Sequence, residues 1–171
     1  MTRVYVAAGS NIDPAQNLGT ALDELRRLYP SLVVSPAYRN KAVGFQGEDF
    51  INLVVGFDTE EPVARVREQL QRVEKICGRP ADAPKWAPRS MDLDILLFGA
   101  LVSSEPGLAI PRPDLLRRPY MLRPMADIAP DVPHPLANKT MRELWEAFDG
   151  NGHQMEQVTL TSPRSGRRPL R

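Results

Sequence analysis

A chain of 171 residues and 19.1 kDa is long enough to bury a core as one domain without disulfides or structural metals. Its 22 Lys plus Arg against 21 Asp plus Glu leave a formal charge of +1, which excludes the strongly basic footprint of a general nucleic-acid binder and gives no membrane-directed charge. The single cysteine, Cys77, excludes an intrachain disulfide scaffold, and the opening MTRVYVAAGSN reads as neither signal sequence nor span, so a cytoplasmic protein is expected.

Val4 to Ala8 predict a short buried strand ending at Gly9, and Asp13-Pro14 reads as an N-cap followed by a first-turn proline. Leu18, Ala21, Leu22, Leu25 and Leu28 then share one helix face, closed by Pro30. Leu32 to Tyr38 and Phe50 to Phe57 predict a second and a third strand around a glycine-containing loop. Thr59-Glu60-Glu61-Pro62 signals another helix start, whose stripe Val63, Val66, Leu70, Val73 and Cys77 runs to Gly78. On that stripe Cys77 reads as a small core residue in preference to a reactive thiol. Residues 79–89 predict an exposed proline-rich loop, and Asp92 to Phe98 a fourth strand. The order βαββαβ builds an antiparallel sheet with both helices on one face, an α+β sandwich of the ferredoxin-like kind. Beyond it come a hairpin from Leu101 to Ile110, a Pro/Arg-rich segment from Pro111 to Pro124, and a helix from Thr140 carrying Met141, Leu144, Trp145 and Phe148. Residues 1–150 thus read as a single domain, and 151–171 as a basic, poorly ordered tail with phosphate attraction as its alternative role.

The chemistry concentrates between Lys85 and Leu97, KWAPRSMDLDILL. Residues two apart in a strand point to one face, so Asp92 and Asp94 converge while Leu93 and Ile95 face the other way. Two converging carboxylates repel unless a divalent cation satisfies both, and Mg²⁺ is commonly held by such a pair together with waters and substrate phosphates. The plainer reading leaves Asp92 as a strand-start cap and Asp94 solvated. Arg79, Lys85 and Arg89 nearby favour phosphoryl chemistry, since they supply cations for phosphate oxygens. Trp86, on the same loop, either packs on the body or covers a ligand as a lid.

These residues resemble the 6-hydroxymethyl-7,8-dihydropterin pyrophosphokinase family, whose signature reads like K-W-A-P-R-x-x-D-L-D-I-L. The resemblance spans about residues 3–150, through VYVAAGSN, FINLVV and IPRPDLLRRPYMLRPMADIAP. It implies transfer of a pyrophosphoryl group from ATP to the hydroxymethyl oxygen of the dihydropterin, releasing AMP, on a ferredoxin-like fold with two Mg²⁺ ions held by Asp92 and Asp94. By the same matching Asn52 hydrogen-bonds the pterin, Phe50 and Tyr120 lie near its two faces, and backbone around Asn40 to Val43 meets its edge. Arg79 and Arg89 stabilise the transferring phosphates, Trp86 closes over the site, Glu74 and Arg118 line the nucleotide pocket, and Ile95 lies beside the adenine.

Three positions depart from the family pattern: Asn40-Lys41 replaces a threonine-proline pair, Ala81 replaces an arginine, and Pro111-Arg112 replaces a proline-histidine pair. In place of the nucleotide-contacting histidine, Arg112 either takes over phosphate binding or weakens ATP affinity. A diverged paralogue acting on another pterin, or a catalytically silent nucleotide- or pterin-binding homologue, is the alternative. An RNA-binding module on the same sheet topology is disfavoured, because no aromatic RNP run exists and FINLVVGF is mostly aliphatic. The expected partners are small molecules, with no nucleic acid or membrane, and the expected state is a monomer.

Overall fold

The computed structural model describes residues 1–40, 49–78, 91–149 and 155–160. β1 (Thr2–Ser10) leads into α1 (Pro14–Leu28), then β2 (Val33–Val34), β3 (Ala37–Asn40), β4 (Phe50–Thr59), α2 (Val63–Ile76) and β5 (Asp92–Phe98). β4 and β5 pair antiparallel with the two edges of β1, while β2 and β3 both pair antiparallel with β4. The sheet order is therefore β5-β1-β4-β3-β8, with β2 also on β4 and β8 (Glu156–Val158) at the far edge.

The predicted second strand is broken at Ser35-Pro36. Proline has no N–H for the ladder, and Ser35 bridges the gap: its N–H donates to the Val54 carbonyl at 2.9 Å and its hydroxyl accepts from the Val54 N–H at 2.9 Å. The caps also differ from expectation. Asp13 adopts a left-handed conformation (φ 40°, ψ 56°) and its side chain caps nothing, while Thr59 accepts from the Glu61 N–H and Pro62 itself occupies the cap position of α2. Cys77 is buried at the end of α2, where burial pushes its thiol up to about 11, in keeping with a packing role.

Strand alternation splits the hydrophobic interior in two. Val4, Val6, Ala8, Leu53, Val55, Phe57, Leu93 and Ile95 face α1 and α2, where Phe57 stacks on Tyr29 with ring centroids 3.9 Å apart. Tyr5, Ala7, Val54, Leu96 and Leu97 face the opposite way and are covered by a second helical layer. α1 and α2 thus share one face of the sheet, and this layer covers the other. The Pro/Arg-rich segment contains α3 (Asp114–Arg117) and α4 (Pro119–Ile128), and α5 (Met141–Glu146) packs with them. Pro119 sits in the first turn, where no N–H is needed, and Pro124 is accommodated inside α4 because Met121, Leu122 and Met125 bury its apolar stripe.

Between β5 and α3 in sequence comes the hairpin β6 (Ser103–Glu105) and β7 (Leu108–Ile110), whose Ile110 joins the core on the α1 and α2 side. Thr140 and Glu143 form a reciprocal capping box at the start of α5. The tail is ordered further than its composition predicts, for Glu156–Val158 pairs with Ala37–Arg39 as β8 and Arg39 meets Glu156 at 3.2 Å. Residues 161–171 lie outside the described residues. Among the described residues no helix is long and apolar enough to cross a membrane.

Candidate functional site

Register across the sheet assembles the site. Tyr38 on β3 pairs with Asn52 on β4, Asn52 with Gly9 on β1, and Gly9 with Asp92 on β5. One row thus runs Tyr38, Asn52, Gly9, Asp92, and paired residues in a row share a face. The neighbouring rows place Asn40 opposite Phe50, and Val54 opposite Ala7, which in turn faces Asp94. Asn40, Phe50, Asn52, Asp92 and Asp94, chosen from separate parts of the sequence, therefore occupy the same side of one sheet.

Asn52 is held within this row. Its Nδ2 donates to Asn40 Oδ1 at 2.6 Å, and its Oδ1 lies so close over Gly9 that a Cβ there would overlap it. Tyr38 closes the outer end by donating its hydroxyl to Asp127 on α4 at 2.5 Å, with the Arg123 guanidinium 5.4 Å from its ring centroid. Burial, reinforced by the Asp127 hydrogen bond, pushes the Tyr38 phenol up to about 12.

At the other end of the row, a cavity of about 390 Å³ opens along the free edge of β5. Asp92, Asp94, Ile95, Glu74 and Arg112 all line it. Glu74 reaches from α2 to accept the Leu93 N–H at 2.8 Å, so it satisfies an edge donor of β5 while walling the cavity. Arg112 Nη1 stands 3.6 Å from Asp94 Oδ1, and its Nε, 3.8 Å from Asp114, is buried without a hydrogen bond. A buried guanidinium N–H lacking an acceptor suits a site that receives anionic oxygens.

Tyr120, in the first turn of α4, is within electrostatic reach of the same group. Burial raises its phenol, Asp114 and Asp94 add to the shift, and Arg118 and Arg112 oppose it. Arg118 itself is exposed at the N-cap of α4 and is not part of the cavity lining. Arg79, Trp86, Arg89 and Val43 fall outside the described residues.

Among the described residues no group of three or more His, Cys, Asp or Glu could hold a metal ion by itself. The donor set is a carboxylate pair beside an open cavity, which fits a hard cation that keeps several waters or substrate oxygens, as Mg²⁺ does.

Sequence reasoning passed over Arg67, Gln71, Gly107 and Gly9. Arg67, Gln71 and Glu74 are spaced four and three apart on α2, so the helix period carries them to one face of the cavity, and that signal was available. Gly107 (φ 77°) lies under Arg67, whose guanidinium would sit 3.0 Å from any Cβ added there. Nothing local in the sequence marks either that approach or the one at Gly9.

Known proteins share this chain's pattern. The model of the 7,8-dihydro-6-hydroxymethylpterin-pyrophosphokinase (HPPK) family matches residues 5–130. The 2-amino-4-hydroxy-6-hydroxymethyldihydropteridine pyrophosphokinase of Pseudomonas aeruginosa is 39% identical over 134 residues, covering 76% of this chain and 82% of its own length. Its Haemophilus influenzae counterpart is 33% identical over 152 residues, covering 86% and 94%. Among solved structures, wild-type Plasmodium falciparum HPPK-DHPS with SDX-DHP aligns with a TM-score of 0.64 at 14% identity, over 85% of this chain. This chain spans 43% of that longer one, and at such identity the likeness concerns the fold.

Proposed function

The chain belongs to the HPPK family, and from that premise we propose how its residues carry out the reaction. It is an ATP-dependent pyrophosphokinase of folate biosynthesis, moving pyrophosphate from ATP to 6-hydroxymethyl-7,8-dihydropterin and releasing AMP. The observation that carries the residue assignments is the row Asn52, Gly9, Asp92. Two strand spacings, about 10 Å, separate its amide from its carboxylate, a span suited to a bicyclic ring whose one-carbon arm points at the phosphates.

In this reading Asn52 hydrogen-bonds the ring, Phe50 and Tyr120 approach its faces, and backbone from Asn40 to Val43 borders its edge. An aromatic pair offers a flat heterocycle both contact area and orientation. Asp92 and Asp94 would hold Mg²⁺, two ions in all, each ligated further by ATP oxygens and water. When bound, the metal neutralises phosphate charge and orients the phosphates for displacement. Arg112, beside Asp94, with Arg79, Arg89 and Arg118, supplies cations for the oxygens that gain charge during transfer. Glu74 and Ile95 wall the nucleotide end, and Trp86 covers it. The hydroxymethyl oxygen attacks the β-phosphorus of ATP as the bond to the α-phosphate oxygen breaks. The protein's share is to align these groups and exclude water.

We further propose a ferredoxin-like arrangement for the βαββαβ unit, supported by its strand order and antiparallel pairing, within one domain of residues 1–150, to whose sheet β8 adds an edge strand, that acts as a monomer. The deciding assay combines purified protein, ATP, Mg²⁺ and 6-hydroxymethyl-7,8-dihydropterin. AMP should form in step with loss of the pterin. Nucleotide binding without AMP would identify a silent homologue, and AMP formation only with another pterin would identify a diverged one.

A further inference from the structure

We infer that Asn40 and Gly9 are positioning residues that fix the orientation of the Asn52 amide, and so the order of donor and acceptor offered to the heterocycle. The inference rests on the assignment of Asn52 to pterin recognition given above. A carboxamide has nearly the same shape after a half-turn about its last torsion, but the turn exchanges an acceptor for a pair of donors. A side chain that reads a ring edge must therefore be held in one of the two states.

Two neighbours do this here. Asn40, diagonal to Asn52 across the β3/β4 ladder, accepts one Nδ2 hydrogen at 2.6 Å. Gly9, directly opposite on β1, leaves the space that Asn52 Oδ1 occupies, and any Cβ would take it away. One N–H is thus committed, and the second N–H and the oxygen remain as an adjacent donor and acceptor. That pair complements a lactam-type edge, in which a ring N–H stands beside a carbonyl oxygen. It mismatches an edge where an amino group replaces the carbonyl and an unprotonated ring nitrogen replaces the N–H. Turning Asn52 alone would bring its oxygen against Asn40 Oδ1, so the two amides turn together or not at all.

The test compares binding of 6-hydroxymethylpterin with that of its 2,4-diamino analogue, by calorimetry with Mg²⁺ and a non-hydrolysable ATP analogue present. Asn40→Leu should weaken pterin binding about tenfold and lower the preference over the diamino analogue, because the amide is released to turn. Asn40→Asp offers only acceptors at this site, so it should restore both the affinity and the preference to within about threefold of the parent. Gly9→Ala should weaken pterin binding at least as much as Asn40→Leu and leave nucleotide binding intact. If that variant does not fold, by circular dichroism, the Asn40 pair still decides.

Equal losses in Asn40→Leu and Asn40→Asp would overturn the inference, since Asn40 would then be touching the ligand through its own Nδ2. Unchanged binding in Asn40→Leu beside a clear loss in Asn52→Ala would overturn it too, while leaving Asn52 as the pterin reader. Unchanged binding in Asn52→Ala would instead remove the assignment on which the inference stands.

Discussion

The two faces of the central sheet use the same strands for opposite purposes. On one, Leu53, Leu93 and Ile95 are pressed against α1 and α2 in a continuous apolar layer. On the other, beside the apolar patch covered by α3–α5, their sequence neighbours Asn52 and Asp92 line up with Gly9 and Asp94 stands in the adjacent row, a polar group that ends in a cavity. Because strand side chains alternate with a period of two, each core residue fixes the direction of the site residue beside it. A slip of one residue on β5 would bury two carboxylates under α2 and expose Leu93 and Ile95. Core packing is thus what keeps the chemical row in register.

Breaking the apolar face should cost stability more than it changes chemistry. Phe57→Ala removes a fully buried ring stacked on Tyr29 and should destabilise the protein by about 3–5 kcal/mol, read as a lowered denaturant midpoint. The turnover of the fraction that remains folded should be close to that of the parent. A comparable fall in turnover per folded molecule would show that the two faces are not separable.

The polar row should behave in reverse. Asp94→Ala should lower AMP formation by about a hundredfold or more and shift the midpoint little, because the carboxylate is half-buried beside Arg112 and is not part of the core. Retained activity with ordinary Mg²⁺ dependence would break the assignment of that face to phosphoryl transfer.

Glu74 belongs to both faces, since it stands on the core-side helix and grips the β5 edge from within the cavity wall. Glu74→Ala should cost about 1 kcal/mol through the unpaired Leu93 N–H and should also raise the KM for ATP, whereas Glu74→Gln keeps the acceptor and should recover most of the stability. A stability loss with an unchanged KM would confine Glu74 to the core side.

The smallest expected effect sharpens the contrast between the two helical layers. In the second layer His134 is buried, and its Nδ1 accepts from the N–H groups of Leu136 and Ala137, both at 3.1 Å. Burial lowers its pKa, so protonation favours the unfolded chain. Its contribution is fully present above the ordinary histidine value of about 6.5 and is lost as pH falls below it. The melting temperature should drop on acidification from neutral pH, and His134→Asn, which keeps an acceptor, should remove part of that drop. An identical acid limb in the variant would place the sensitivity elsewhere.

Much of this was legible before any coordinates. The Asp92/Asp94 pair follows from alternation alone, the α1 and α2 stripes follow from the helical period, and the motif from Lys85 to Leu97 pointed to phosphoryl chemistry. Of the second helical layer, α5 was legible from its stripe, but α4 was not, because Pro119 and Pro124 interrupt the usual helix signal and only burial of Met121, Leu122 and Met125 outweighs their cost. Nor was the split of the second strand at Pro36, which depends on the Ser35 hydroxyl standing in for a ladder partner 19 residues away.

By itself, then, the sequence determined the local elements, the apolar stripes and which side chains could do chemistry, since these depend on periodicities a few residues long. Tertiary structure alone decided that Asn52 stands one strand from Gly9 and two from Asp92, that Asn40 reaches Asn52, and that Arg112 comes within 3.6 Å of Asp94. Such relations join residues 12 to 43 positions apart. They are set by inter-strand register, which emerges only when the whole sheet minimises its exposed apolar surface at once.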